Sequence, residues 1–186
     1  MKGISKEEIR KEIIRRLRDQ DLTLREERSL KIQEKLLSSE EFKVAKTVMT
    51  YVSLPTEVST DHFNREALKR GKRVAVPYIG PEKNCMVAAE LTLAGRLEKG
   101  PLGISQPEEG YDRVIPLKEI DLIVVPGIAY DANNMRLGRG KGCYDRFLAA
   151  EDLSSKTAIG VAFHFQMVGT IPPDPQDRPV TRVITD

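Results

Sequence analysis

Residues that commonly build metal centres and disulfide frameworks are scarce in this sequence of 186 residues, which has two cysteines and two histidines. Cys85 and Cys143 form no CxxC or Cys/His ligand spacing, and His62 and His164 have no partner at ligand spacing. The spacing therefore excludes a recognisable zinc motif and a disulfide scaffold. We expect free thiols in a reducing cytoplasm.

Long apolar runs are also absent, since none reaches the roughly 18 residues that a membrane helix needs. Residues 1–20 are highly charged and lack the apolar core of an export signal, so we expect no export. The net charge is only +2, from 30 basic and 28 acidic residues, which gives no reason to expect a nucleic-acid surface. We therefore predict a cytoplasmic protein that binds small molecules, without a membrane or a nucleic acid as partner.

What the chain does have is the composition of a folded globular protein. Apolar residues make up 40% and charged residues 31%, and the length fits one domain over residues 1–186. Ser5 and Glu8 have the spacing of a capping box ahead of apolar residues at helical spacing. The same signature recurs from Thr23 to Glu26, so two N-terminal helices are expected over about residues 5–38, packed on a sheet.

Beyond these helices, segments rich in β-branched residues alternate with helical ones. Asp121 to Pro126 is the clearest strand, because a nearly continuous aliphatic run is typical of a strand buried in a parallel sheet. We also expect strands at 46–54, 73–78, 86–93, 157–163 and 180–184, helices at 60–69 and 142–150, and mostly loop at 95–116. This alternation predicts an α/β fold with crossover connections.

A glycine loop follows the 121–126 strand. The segment RLGRGKG at 136–142 alternates three glycines with Arg136, Arg139 and Lys141, and a helical segment carrying Asp145 comes next. In an open α/β sheet, ligands bind beyond the carboxyl ends of the strands. Glycines let backbone N–H groups approach an anion closely, and a helix N-terminus adds roughly half a positive charge. Together with the loop cations, these features predict a phosphate-binding site.

The loop matches neither common nucleotide fingerprint. GxxxxGK[ST] fails because Cys143 follows instead of Ser or Thr, and GxGxxG fails because Cys143 stands at the third glycine. By its pattern alone, the loop is equally well explained as a flexible surface turn with solvated cations. Asp145 could hold Mg²⁺ beside bound phosphates, but its local pattern favours an ordinary first-turn acid that suits the helix dipole.

The segments VPGIAYD and RLGRGKGCYDRFL resemble the signature of the 5-formyltetrahydrofolate cyclo-ligase family, also called 5,10-methenyltetrahydrofolate synthetase. Further pieces agree in order along nearly the whole chain. They are the Lys6…Arg10 pair, YVSLPTEVST at 51–60, KRVAVP at 72–77, LGISQP at 102–107, GVAF at 160–163 and IPPDPQD in the tail. The resemblance implies one three-layer Rossmann-like domain, with a mostly parallel sheet and helices on both faces.

The resemblance also implies an enzyme that uses ATP and Mg²⁺ to close a ring. ATP phosphorylates the formyl oxygen of 5-formyltetrahydrofolate, the N10 nitrogen attacks the activated carbon, and phosphate leaves as 5,10-methenyltetrahydrofolate forms. Phosphorylation is needed because an amide-like oxygen is a poor leaving group. The enzyme would mainly position two substrates and neutralise charge on the transferring phosphoryl group. We expect it to be a monomer.

Roles for individual residues follow from the same resemblance. Arg139 and Lys141 are expected to be catalytic, and Asp145 and Asp177 to hold the metal. The residues expected to bind the nucleotide are Lys6, Arg10, Arg136, Leu137, Gly138, Arg139, Gly140, Lys141, Gly142, Cys143 and Tyr144. The residues expected to bind the folate are Val52, Glu57, Arg139, Gly140, Lys141, Gly142 and Cys143, and the Glu57 carboxylate would accept hydrogen bonds from pterin N–H groups.

Three positions depart from the family pattern. Cys143 stands where an aromatic residue is usual, Gln106 where Glu is common, and Thr181 where an acidic residue often occurs.

Two other functions stay open on the residues alone. One is a sugar-phosphate or acyl-CoA enzyme on a similar scaffold, and the other is a nucleotide- or RNA-binding module suggested by the basic helix from Arg10 to Arg18.

Overall fold

The structure, a computed structural model, describes residues 4–80, 86–108, 110 and 112–186. Cys85, one of the two expected thiols, lies outside these ranges, and Cys143 is a free cysteine. The helices are α1 (Lys6–Arg18), α2 (Leu22–Leu37), α3 (Glu40–Val44), α4 (Asp61–Lys69) and α5 (Cys143–Leu148). The strands are β1 (Thr47–Met49), β2 (Arg73–Ile79), β3 (Met86–Leu91), β4 (Leu97–Lys99), β5 (Ser105–Pro107), β6 (Leu122–Pro126), β7 (Ala129–Tyr130), β8 (Arg136–Leu137), β9 (Thr157–Ala162) and β10 (Arg182–Thr185).

Six strands form one sheet in the order β10-β9-β6-β1-β2-β3. Neighbouring strands run parallel, except that β3 runs antiparallel to β2. Side chains on a strand alternate between faces, so β6 sends Leu122 and Val124 into one apolar cluster and Ile123 and Val125 into another. Helices α1 to α4 cover the first cluster, and α5 covers the second. The predicted α/β fold with a mostly parallel sheet is confirmed.

The N-terminal helices begin where side chains satisfy their first N–H groups. At α1 the predicted capping box is present, with the Ser5 backbone N–H donating to Glu8 Oε2 at 2.7 Å and the Glu8 N–H donating to Ser5 Oγ at 3.2 Å. Helix α2 begins earlier than its Thr23 signature predicts. Asp21 caps it, accepting from the Leu24 N–H at 3.0 Å. The short helix α3, capped by Ser39, was not expected.

Four other predictions about the elements need correction. Strand 46–54 ends at Met49, because the chain leaves the sheet there and the Tyr51 hydroxyl donates to the Val58 carbonyl, at 2.8 Å, within the loop that follows. The helix expected from residue 60 begins at Asp61, because Thr60 is its N-cap residue and the Thr60 hydroxyl donates to the Tyr51 carbonyl rather than accepting from a helix N–H. Within 95–116 the strands β4 and β5 pair as a hairpin. The helix expected over 142–150 ends at Leu148.

The parallel strands β1, β2 and β6 end at the same edge of the sheet. Tyr51 and Val52 follow β1, Ile79 ends β2, and Gly127 follows β6. From β6 the chain makes the β7–β8 hairpin, passes through the glycine loop at 138–142 and enters α5. The fold therefore places the loop beyond the carboxyl ends of these strands, where ligands collect in open α/β sheets. No helix in the described ranges is long and apolar enough to cross a membrane.

Candidate active site

The glycine loop separates two clefts. The first, called here the apolar cleft, has a volume of about 280 Å³. Its apolar wall comes from the strand ends and their loops: Tyr51, Val52, Leu54, Pro77, Ile79, Met86 and Ile104. Glu57, Arg139, Lys141, Cys143 and Tyr144 also line it. An apolar cleft with a few polar groups suits a flat heterocyclic ligand.

The second cleft, called here the charged cleft, has a volume of about 560 Å³. It lies between α1, the glycine loop, α5 and the tail around Asp177. Its charged residues are Lys6, Arg10, Arg136, Asp145, Arg146, Asp174, Asp177 and Arg178. Four residues, Arg136, Gly138, Gly142 and Asp145, line both clefts. The two clefts therefore adjoin across the loop, so that ligands in them could react with each other.

The loop owes its shape to glycines in the left-handed region and to arginines on both sides. Gly140 has φ of 94° and Gly142 has φ of 64°, conformations that L side chains rarely adopt. From α1, Arg10 Nε donates to the Gly138 carbonyl at 2.9 Å. From α5, Arg146 Nη1 donates to the Lys141 carbonyl at 3.0 Å. These bonds turn two loop carbonyls toward cations, away from any anion that the loop N–H groups bind.

Arg136 and Asp145 form a buried ion pair at the junction of the clefts. Arg136 Nη2 lies 2.8 Å from Asp145 Oδ1, and the two side chains are 4% and 16% exposed. The guanidinium carbon of Arg136 lies 5.5 Å from the centre of the Tyr144 ring. Arg136 Nε is buried and, among the described residues, has no hydrogen-bond partner. One donor of this buried cation therefore remains available to a ligand.

Lys6 binds two acids of the tail in the charged cleft. Its Nζ lies 2.5 Å from Asp177 Oδ2 and 2.5 Å from Asp174 Oδ2. Burial works against the charge of Lys6, but the two carboxylates outweigh it and raise the pKa of Lys6 above its usual 10.5. Burial likewise opposes the charge of Asp177, yet the bonds from Lys6 and from the Asp174 N–H lower the pKa of Asp177.

These pKa shifts give a prediction for acid stability. The lowered pKa of Asp177 means that the folded state binds fewer protons there than the unfolded state near pH 3.8, so this contribution is present above that pH and is lost as pH falls through the lowered pKa. The raised pKa of Lys6 affects stability only at alkaline pH, because the stabilisation that it gives the folded state is lost only above pH 10.5. The free energy of unfolding, measured by urea titration from pH 7 to pH 2, should fall more steeply for the wild type than for Asp177→Asn. Parallel curves would contradict the prediction.

On the other side of the loop, Arg139 pairs with Glu57. Arg139 Nη2 and Nε lie 3.0 and 3.2 Å from Glu57 Oε1. The second oxygen, Oε2, accepts from the Leu54 N–H at 3.0 Å. The Glu57 side chain is 14% exposed whereas Arg139 is 43% exposed. The carboxylate is therefore held in the cleft wall by two partners, and the arginine is the more exposed member of the pair.

Most of the predicted site residues meet at these two clefts. Lys6, Arg10, Arg136, Gly138, Gly140 and Gly142 line the charged cleft together with both expected metal ligands, Asp145 and Asp177. Val52 and Glu57 line the apolar cleft. Leu137 also lines the charged cleft, although it is only 1% exposed and belongs to the core. Four of the residues expected to bind the nucleotide line the apolar cleft and not the charged one: Arg139, Lys141, Cys143 and Tyr144.

Three charged residues of the charged cleft were not predicted from the sequence: Arg146, Asp174 and Arg178. Asp174 belongs to the IPPDPQD segment and was not singled out, and Arg146 lies one residue beyond Asp145. The helical position of Arg146, four residues after Gly142, is the signal that could have placed it back over the loop. No comparable local signal points to Arg178.

The acids of the charged cleft have the chemistry that a magnesium site needs. Mg²⁺ takes oxygen ligands, keeps several waters and uses only one or two protein carboxylates when it binds with phosphates. Asp145 and Asp177 supply two such carboxylates in one cleft, each paired with a cation in this structure. Within the described residues there is no group of three or more His, Cys, Asp or Glu that could hold a metal by itself. The donor set fits a metal that arrives with a phosphate ligand.

A family model described as the 5-formyltetrahydrofolate cyclo-ligase family matches residues 2–186 of this sequence. The chain belongs to this family. The cyclo-ligase family is an enzyme family, so the membership and the enzyme class predicted from the sequence are confirmed.

Relatives named as cyclo-ligases resemble the chain over most of its length. A Caenorhabditis elegans protein named probable 5-formyltetrahydrofolate cyclo-ligase is 34% identical over 163 residues, covering 81% of this chain and 78% of that protein. The Mus musculus 5-formyltetrahydrofolate cyclo-ligase is 31% identical over 189 residues, covering 97% and 93%. The NMR structure of Aquifex aeolicus 5,10-methenyltetrahydrofolate synthetase is 33% identical and superposes with a TM-score of 0.82, covering 97% of this chain and 89% of that one.

The structure gives two of the three departures from the cyclo-ligase pattern a local role. Gln106 is buried, accepts from the Ile79 N–H at 3.1 Å and donates to Glu98 Oε1 at 3.3 Å, which a carboxylate could not do. Thr181 Oγ1 accepts from the Ala158 N–H at 3.0 Å beside β9. Cys143 lines the apolar cleft, with Arg146 Nη2 3.9 Å from its sulfur.

Proposed function

We propose that the protein converts 5-formyltetrahydrofolate to 5,10-methenyltetrahydrofolate, using ATP and releasing ADP and phosphate. The observation that carries the proposal is the glycine loop between an apolar cleft and a charged cleft. A reaction between a folate and a triphosphate needs two adjoining sites of this kind, with the reacting groups meeting where the sites join. The names of the relatives support the choice of substrates.

In the proposed reaction, the formyl oxygen takes the terminal phosphoryl group of ATP and ADP is released. The N10 nitrogen then forms a bond to the formyl carbon and loses its proton to water or to the departing phosphate, and the C–O bond breaks as phosphate leaves. Arg139 and Lys141 lie on the loop between the clefts, and both line the apolar cleft. We assign them the stabilisation of negative charge on the transferring group, since two cations placed there act where charge develops in the transition state.

The charged cleft supplies the binding groups for the triphosphate. Lys6, Arg10 and Arg136 line it, and Leu137, Gly138, Gly140 and Gly142 of the loop segment lie along one side. Converging N–H groups of a glycine loop and Arg donors suit phosphate oxygens. Asp145 and Asp177 would hold Mg²⁺. The bound ion would supply positive charge that offsets the negative charge of the phosphates.

The apolar cleft supplies the folate site. Val52 contributes to its apolar wall, and Glu57 fixes a carboxylate within it. A carboxylate that already accepts one backbone N–H still has lone pairs for two adjacent N–H groups, which is the pattern that a pterin edge offers. Gly142 and Cys143 complete the proposed folate contacts within this cleft, and Gly140, which lines the charged cleft, would contact the folate from the other side of the loop. A monomeric state and a cytoplasmic location belong to the same proposal.

A turnover assay that follows both products tests the proposal. Purified protein mixed with 5-formyltetrahydrofolate, ATP and Mg²⁺ should show rising absorbance of the methenyl product, with one phosphate released per product molecule. Replacing ATP with a non-hydrolysable analogue, or removing Mg²⁺ with a chelator, should abolish the signal. A folded protein that gives no ATP-dependent product would refute the proposed function.

A further inference from the structure

Three tyrosines lie at or next to the apolar cleft, and they differ in what their hydroxyls contact. The Tyr51 hydroxyl donates to the Val58 carbonyl at 2.8 Å, and the Tyr130 hydroxyl donates to the Val125 carbonyl at 2.7 Å. The Tyr144 hydroxyl is buried and has no hydrogen-bond partner among the described residues. Two of the hydroxyls therefore serve the fold, and the third is left over.

A buried hydroxyl without a partner is costly, so such groups in folded proteins usually have another purpose. Tyr144 lines the apolar cleft and does not line the charged cleft. A ligand in the apolar cleft is therefore better placed to satisfy its hydroxyl than a triphosphate in the charged cleft.

The Tyr144 hydroxyl and the Glu57 carboxylate offer a ligand different hydrogen-bonding groups. A neutral phenol can donate one hydrogen bond and accept others, so it complements the carboxylate of Glu57, which only accepts. Both side chains line the same cleft.

We propose that the Tyr144 hydroxyl hydrogen-bonds the pteridine ring of the folate and, with Glu57, selects that ring. This assignment rests on the proposed function. It differs from the expectation that Tyr144 contacts the nucleotide, because it places the residue on the folate side of the loop. The ring of Tyr144 packs against the Arg136 guanidinium, and this contact positions the phenol in the ligand-free protein.

The variant Tyr144→Phe removes the hydroxyl and keeps the ring. We expect the dissociation constant for 5-formyltetrahydrofolate, measured by calorimetry without nucleotide, to rise about tenfold, as loss of one buried hydrogen bond implies. The dissociation constant for a non-hydrolysable ATP analogue with Mg²⁺ should stay unchanged. The melting temperature of the ligand-free variant should not fall, because the hydroxyl has no partner in the described structure to lose.

Tyr130→Phe is the matched control. Its hydroxyl is bonded to the fold and Tyr130 does not line either cleft, so this variant should melt at a lower temperature yet bind 5-formyltetrahydrofolate as the wild type does. Three results for Tyr144→Phe would overturn this inference and leave the proposed function standing. They are an unchanged affinity for 5-formyltetrahydrofolate, a weakened affinity for the nucleotide, or a melting temperature as low as that of the control. Wild-type protein that binds no 5-formyltetrahydrofolate would overturn both this inference and the proposed function.

Discussion

Replacing Lys141 with alanine should lower the turnover number by about 10²–10³-fold, while the protein keeps its fold. Lys141 is exposed, lines the apolar cleft and, among the described residues, makes no ion pair with an acid. Its charge is therefore free to stabilise the transferring phosphoryl group, and its loss removes little packing. Steady-state kinetics by methenyl absorbance give the turnover number, and circular dichroism with thermal melting reports the fold.

Lys11→Ala is the control for this result, because Lys11 is an exposed lysine that lines neither cleft. Its turnover should match the wild type, which excludes a general effect of removing one positive charge. The effect of Lys141→Ala should also fall mainly on the turnover number and less on the Michaelis constants, since the charge is needed most in the transition state. A variant that loses affinity for ATP but keeps its turnover number would assign Lys141 to ground-state binding instead.

Breaking the ion pair between Arg136 and Asp145 should cause a large loss of folding stability. Asp145→Leu leaves the guanidinium of Arg136 buried at 4% exposure without its partner, and we expect the free energy of unfolding to fall by about 3 kcal/mol. Activity should be lost as well, since the variant removes a carboxylate assigned to the metal. Urea unfolding gives the stability, and the methenyl assay gives the activity.

The double variant Arg136→Met with Asp145→Leu separates the two roles of the pair. Replacing both charges with apolar side chains of similar size removes the unpaired charge, so most of the lost stability should return. Activity should not return, because the groups that face the charged cleft are gone. A double variant as unstable as Asp145→Leu alone would mean that the loss comes from misfitting side chains rather than from an unpaired charge.

Local signals in the sequence predicted the parts of the fold that depend on neighbours along the chain. The capping box of α1 and the aliphatic run of β6 are of this kind, and both are present. The errors fall where a specific hydrogen bond or strand pairing, rather than residue composition, decides the path of the chain. Residues 50–54 have a strand-like composition, yet the chain leaves the sheet after Met49 and Tyr51 turns to bond Val58. The β4–β5 hairpin arises in a segment whose glycines and prolines indicated mostly loop.

The candidate site was predictable as a set of residue types but not as an arrangement. The glycine loop and its cations were found because they are contiguous in sequence. The apolar cleft was missed, because its wall is assembled from separate segments such as Leu54, Ile79 and Ile104 that meet only after folding. The side of the loop on which Tyr144 lies also follows from the fold alone.

The ion pairs of the two clefts share one pattern. Glu57 holds Arg139, Asp145 holds Arg136, and Asp177 holds Lys6. In each pair, the acid assigned to a ligand is neutralised by a cation assigned to the triphosphate. In the proposed function, ligand entry would be an exchange of partners, in which a pterin or a metal ion binds the acid and the released cation binds the phosphates. Each of these three acids would then have a positively charged or hydrogen-bonding partner both before and after the ligands bind.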